Sequence, residues 1–185
     1  MKKLIFLLTI VCGIFLLNGC GTNEANSNGT DAIIGEWIDM EESNGFAKIK
    51  ITKEANGYIL SGKTYQTVLQ KESASPQSPL IVKIEERNST FLDTDNTKLT
   101  TTDDKYTLYI DGRKSQPLKY DPKTNSINIP IGAKWSFTFK PAKSITEQEK
   151  RTWADQSIKE LSNTYKAKRD GEYGIIDKID LSLIK

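Results

Sequence analysis

Apolar and polar positions divide the chain into four stretches. Residues 4–17 form an unbroken run without a charge, preceded by Lys2 and Lys3. Residues 21–31 (GTNEANSNGTD) hold a single apolar side chain, an alanine. From Ile33 to about Lys140, short apolar runs alternate with polar residues at period two and are broken by turn residues, as in strands with one face buried and the other solvated. From Ser144 the apolar spacing becomes that of a helix.

The alternating region predicts a mainly β fold, an antiparallel up-and-down meander of about eight strands. Residues 34–40 open it, and after a turn at Ser43-Asn44-Gly45 come Ala47, Ile49 and Ile51, alternating with Lys48, Lys50 and Thr52. Asn56-Gly57, a dipeptide favoured in type I′ hairpins, leads into a strand over residues 58–69. Residues 71–79 contain two prolines and three serines and predict a loop before the strand of Leu80, Val82 and Ile84. Residues 88–104 are rich in Thr, Asp and Asn, so only short strands are expected there, at 91–92 and 98–102. Tyr106, Leu108 and Ile110 form the next strand, then a turn at Asp111-Gly112, Leu118 and Tyr120, a turn over 121–125, and Ile127, Ile129 and Ile131. Trp135, Phe137 and Phe139 share one face of the last strand, which is expected to be the most aromatic part of the interior.

Ser144 and Thr146 each stand three residues before a glutamate, the capping-box spacing, so a helix of about twenty residues is expected to start here and stop at Gly171. Ala154, Ile158, Leu161 and Tyr165 lie on one face of it, with Trp153 and Ser157 beside them, and that face is expected to dock on the sheet. Glu147 and Glu149 near its start, with Lys166, Lys168 and Arg169 near its end, agree with the helix dipole. Residues 173–184 supply one more strand or a last short helix. The pattern divides the chain into an apolar leader within residues 1–19, a polar tether over 20–31, and a single β-rich domain with a C-terminal helix over 32–185.

The first apolar run has the layout of a secretory signal: a basic start and an apolar core about 21 Å long as a helix, short of a hydrocarbon layer of about 30 Å. It ends in Leu17-Asn18-Gly19-Cys20, which resembles the lipobox of bacterial lipoproteins. That resemblance implies a diacylglyceryl group on Cys20, removal of the preceding peptide, and a domain held on the outer face of the cell membrane by two acyl chains, enough for stable anchoring. Asn18 departs from the family, which usually has a small or β-branched residue there; the competing reading is an ordinary secretory signal cut nearby. The tether, too polar to fold alone, would hold the domain about 18 Å from the anchor on average.

Composition then narrows the chemistry. The chain has no histidine, and its two cysteines are Cys12, which would leave with the signal, and Cys20, which the lipid would block. A disulfide, a His-dependent zinc site and cysteine or His-assisted nucleophilic catalysis are therefore not expected. Lys2 and Lys3 also leave, so 24 of the 26 basic residues remain against 24 acidic ones. A neutral surface gives no electrostatic case for nucleic acid. Abundant Lys, Ile and Asn suggest an AT-rich, Gram-positive host.

Gly35-Glu36-Trp37 on the first predicted strand resembles the G-x-W motif of lipocalins, and the β-rich body is similar to small lipocalin-like lipoproteins of Gram-positive bacteria. The resemblance implies an eight-stranded barrel followed by a helix, with a ligand cavity at its mouth. The arginine that the family places near the last strand has no counterpart, Lys134 and Lys140 being the nearest cations. A strongly bent open sheet packed by the helix is the other architecture that the pattern allows. Trp37, Tyr106, Trp135, Phe137 and Phe139 are the candidate lining of a pocket for an apolar ligand; core packing is the competing use of the same rings.

Other motifs have plainer readings. Asp93, Asp95 and Asp104 are spaced loosely like an EF-hand, but Lys98 stands where that loop needs glycine, so a solvated polar loop is expected and no metal or other cofactor. Lys48, Lys50 and Lys53 are expected to form a solvated face rather than a partner-binding stripe. No carboxylate pair or Ser-Lys pair stands out by spacing, so an enzyme is not expected. The function expected is an anchored, extracytoplasmic binding domain for a small apolar molecule or peptide. The alternative is a lipoprotein that binds a surface protein, as a bacteriocin-immunity factor or a subunit of a cell-surface assembly.

Overall fold

The computed structural model describes residues 29–40, 44–71, 73–74, 80–87, 92, 94–168, 175–176 and 181–184. The expected signal, Cys20 and residues 21–28 of the expected tether lie outside them, as do most of the 71–79 segment, Phe91, Asp93, Arg169 and Gly171.

The described residues form ten strands and one α-helix. A 3₁₀ turn, Gly29–Ile33, precedes β1 (Gly35–Asp39), β2 (Gly45–Glu54), β3 (Gly57–Lys71), β4 (Leu80–Arg87) and β5 (Thr94–Thr101). β6 (Thr107–Ile110), β7 (Pro117–Asp121), β8 (Ser126–Ile131) and β9 (Trp135–Pro141) follow. A second 3₁₀ turn, Ala142–Ser144, leads into α1 (Glu147–Lys168), and β10 (Ile175–Ile176) and a last 3₁₀ turn, Leu181–Leu183, end the chain.

Pairing closes the sheet. β1 bonds to β2 on one side and β9 on the other, while β3 bonds to β5, so β1, β2, β3 and β5 to β9 form a closed, antiparallel eight-stranded barrel. The bent open sheet is thereby excluded, and the architecture is lipocalin-like. β3 is long enough to serve two partners along one edge: residues 58–62 pair with β5 and residues 64–71 with β4. β4 therefore lies outside the ring, extended by the parallel β10.

Alternation along the strands builds two cores. Inward side chains, among them Trp37, Ile49, Ile51, Leu60, Leu108 and Phe139, pack into one cluster that fills the barrel. Outward side chains of β1 and β2, Ile38 and Phe46, pack with Trp153 and Ala154 of α1 and with Ile184. Each such buried side chain contributes about 1.5–3 kcal/mol. The helix thus docks on the outside of the barrel, where Phe46 stacks on Tyr65 and meets the Trp153 ring edge-on. Trp153 Nε1 also donates to the Gly45 carbonyl at 3.2 Å.

Of the two capping boxes, the structure uses the second. Thr146 Oγ1 accepts from the Glu149 amide at 3.1 Å, and Glu149 Oε2 accepts from the Thr146 amide at 2.8 Å. The Thr146 amide, and then the Thr146 hydroxyl, which also donates to Oε2 at 2.9 Å, hold the Glu149 carboxyl below its ordinary pKa. Ser144 instead donates to the Pro141 carbonyl at 2.7 Å, holding the preceding 3₁₀ turn. Among the described side chains of α1, Trp153, Ala154 and Ser157 are buried and Ile158 and Leu161 half-buried, so over residues 153–161 the docked face is turned towards Trp153 relative to the expected stripe, whose Tyr165 side chain lies outside the described ones.

The base of the barrel carries the β2–β3 and β7–β8 turns and the first two 3₁₀ turns. There Ile33 is fully buried in the barrel cluster, and its carbonyl accepts the Trp37 indole N–H at 2.8 Å. Asp31 fixes the same plug: both its carboxylate oxygens accept from Lys53 Nζ at 2.8 Å, and Tyr58 donates its hydroxyl to Oδ1. The Lys53 bond, then the Tyr58 bond, hold the Asp31 carboxyl below its ordinary 3.8. A depressed carboxylate contributes stability that is complete above its unfolded pKa and is lost as pH falls through the folded one. Asp31→Asn is expected to cost about 1–2 kcal/mol near neutral pH. Thermal melts of both proteins should converge as pH drops below 3.8; a constant gap down to the lowest pH would contradict the assignment.

Three sequence expectations are corrected. The β2–β3 turn is Ala55-Asn56, because Glu54 pairs with Gly57, and only Gly57 of Asn56-Gly57 has positive φ, 130°. Residues 94–97 belong to strand β5 rather than to a polar loop, since its threonines suit a pleated surface and β3 and β6 flank it. Leu92 is not in a strand; it is a turn residue buried completely in the barrel cluster. Residues 173–184 give both expected elements, a strand at β10 and a last 3₁₀ turn.

Candidate functional site

The five aromatic residues expected to line a pocket do not converge on one. Trp37 and Phe139 are part of the packed interior, and Phe137 is half-buried against it. Tyr106 sits at the base, its ring 6.2 Å from Tyr120, which in turn meets the Trp37 ring edge-on at 6.1 Å. Burial among these rings raises the Tyr120 hydroxyl above its ordinary pKa. Trp135 lies at the opposite end and is 77% exposed. It shares a face with Phe137 and Phe139, but the β8–β9 hairpin overhangs its neighbours: β8 pairs with β7 only up to Asn128, and β9 with β1 only at Lys140 and Pro141. The inward face of the hairpin tip therefore meets no opposite wall.

Trp37 of the G-x-W motif is held by the Ile33 carbonyl and Tyr120 rather than by a cation from the last strand. Lys140 lies 3.7 Å from Glu149, and Lys134 is in the β8–β9 turn at the far end. Asp39, buried on the same strand, accepts the Thr138 amide and extends the β1–β9 seam beyond its last paired residues. The lysine stripe is knitted to its surroundings: Lys53 to Asp31, Lys50 to Glu36 at 3.8 Å, and Lys48 to the Leu183 carbonyl at 3.5 Å.

A half-open groove of about 620 Å³ lies on the outside of the barrel at its base. It falls within the roughly 300–1,000 Å³ of small-molecule sites. Ala32 and Ile34 from the entry to β1, the Trp37 flank, and Pro141, Ala142 and Ile145 from the exit of β9 supply its apolar wall; Glu36, Asn125, Lys143 and Lys150 supply its polar rim. Ile34, 42% exposed, is one of the few large apolar side chains left open to solvent. A second cleft of about 280 Å³ runs between β1 and α1 past Ile38, Met40 and Trp153, and shares Ile145 with the first.

The charges on the rim are unequally engaged. Glu36 is tied to Lys50, and Lys150 donates to Glu147 at 2.7 Å, which lowers the Glu147 carboxyl. Lys143 has no ion-pair partner among the described residues. The groove thus offers an apolar surface beside one uncompensated cation, suited to an amphiphile with a negative end. No group of three metal-binding side chains occurs among the described residues.

Sequence periodicity does not reach this groove because its wall comes from residues outside both periods. Ile34 follows Ile33 and breaks the alternation, and Ala142 and Ile145 lie between the last strand and the helix. An apolar residue out of phase at a strand entry is the one signal available beforehand.

No protein-family model, curated protein or solved structure matches the chain.

Proposed function

We propose that this chain is a non-enzymatic binding domain, exported and anchored through lipid on Cys20 to the outer face of the membrane, that takes an apolar small molecule or peptide in the groove at the base of the barrel. The observation that carries the reading is the contrast between an interior packed with side chains and a 620 Å³ groove outside it, with an apolar wall and a polar rim. In this reading Phe139 serves the scaffold, and Trp37, whose ring packs in the interior, also borders the groove. Ile34, Ala142 and Ile145 provide the contact surface, and Lys143 orients a polar or anionic end.

Native mass spectrometry of the chain from Gly21 onward, produced in its own host, tests this. A ligand-bound species is expected for the unaltered chain and its loss for Ile34→Glu, a change at an exposed position that leaves the core intact. A single ligand-free mass for both proteins would count against the site.

A further inference from the structure

We infer that the occupant of the groove is an acidic phospholipid of the bilayer that carries the anchor; this rests on the lipid attachment at Cys20 proposed above. Position is the first argument. Eight residues lie between Cys20 and Gly29, so over nine steps of at most about 3.6 Å Gly29 cannot stand more than about 32 Å from the anchored residue. Gly29 opens the 3₁₀ turn whose Ala32 is a wall of the groove. The base is therefore the membrane-proximal end, and the Trp135 hairpin is at the other.

Shape and charge are the second and third arguments. The two cavities share Ile145 as a wall, so the apolar side chains of the first, Ile34, Ala142 and Ile145, lie next to those of the second, Ile38, Met40 and Trp153, a succession of apolar surface that an acyl chain can follow. An incoming peptide would also bring backbone N–H and C=O groups that need partners when buried. Along Trp37 and Ile38 both edges of β1 are already paired, with β2 and β9, so no strand edge is open to it there. An acyl chain has no such need. Lys143, the uncompensated cation on the rim, matches a phosphate carrying a single negative charge.

The full lipidated chain in phosphatidylglycerol vesicles, doped with a phospholipid bearing a photoactivatable group on its acyl chain, tests the inference. Label is expected on residues 32–36 and 141–150, and not on 131–135. Because a lysine beside an acidic membrane contributes on the order of a fivefold gain in binding, Lys143→Glu should reduce the groove label at least about fivefold. Ile34→Glu should reduce it as well. Equal labelling of the Trp135 hairpin, groove label unchanged by both substitutions, or equal label in purely phosphatidylcholine vesicles would overturn the proposal. Flotation separates the anchor from the groove. If the unaltered chain floats with vesicles and Cys20→Ala does not, while the groove stays unlabelled, the lipid occupant fails and the anchor stands. If Cys20→Ala floats equally well, the anchor reading fails and this inference with it.

Discussion

Trp37→Ala is expected to lower the unfolding free energy by about 3–5 kcal/mol, the range for emptying a buried aromatic site. For a domain of this size that corresponds to a fall in melting temperature of roughly 6–20 °C. Three losses combine. The indole leaves the packed barrel cluster, its edge-on contact with Tyr120 disappears, and the Ile33 carbonyl loses the N–H that satisfies it inside the plug. Trp37→Phe separates them, since it keeps most of the apolar volume and removes the hydrogen bond, and should cost about 1–2 kcal/mol more than its volume change alone. Chemical denaturation of the three proteins checks the order. A Phe variant as damaged as the Ala variant would place the effect in the hydrogen bond; two near-neutral variants would mean that the plug does not close the base.

Gly62→Val is the second severe change, and its cause is space rather than backbone conformation. A Cβ at Gly62 would lie 2.6 Å from the Leu92 carbonyl oxygen, 3.2 Å from Ile49 Cγ2 and 3.5 Å from the Lys48 carbonyl oxygen. Two of these three neighbours are backbone atoms, which cannot swing aside as a side-chain tip can. Gly62 also stands where the β3–β5 register shifts and where β3 passes from β5 to β4, so the chain enclosing Leu92 is drawn tight against it. Overpacking at such a point costs about 3 kcal/mol for valine and about 1–2 kcal/mol for alanine. Equilibrium unfolding should show valine worse than alanine; stability within about 0.5 kcal/mol of the parent for valine would show that Leu92 yields freely.

How far the sequence discloses this molecule depends on which interaction decides each element. Where one face of a strand is buried, alternation alone suffices, and residues 47–51, 107–110 and 127–131 fall in strands as their pattern predicts, with Tyr106 left in the turn before its strand. The helix start is legible because capping is local, although two boxes overlap and only the packing of Pro141 and Ser144 selects Thr146. The first half of β5, residues 94–97, is hidden because Leu99 is the one apolar residue of the strand; its pairing with β3, not its own composition, extends the strand expected at 98–102 back to Thr94. The exclusion of β4 from the ring is equally invisible, since β3 carries one continuous pattern along both of its partners. Trp135 misleads for a related reason: parity gives the face of a side chain but not whether the opposite wall extends that far. The groove lies further out of reach, assembled from segments about a hundred residues apart in sequence that only barrel closure brings together.

The central claim is that this barrel is filled within and binds outside, at its base. Methyl NMR spectra of the chain from Gly21 onward, titrated with a short-chain phosphatidylglycerol below its micellar concentration, test it most directly. The account predicts saturable shifts at the methyls of Ile34, Ala142 and Ile145, with those of Leu60, Leu108 and Ile129 unmoved. Shifts in the interior set with the groove methyls silent would place the ligand in the barrel and contradict it.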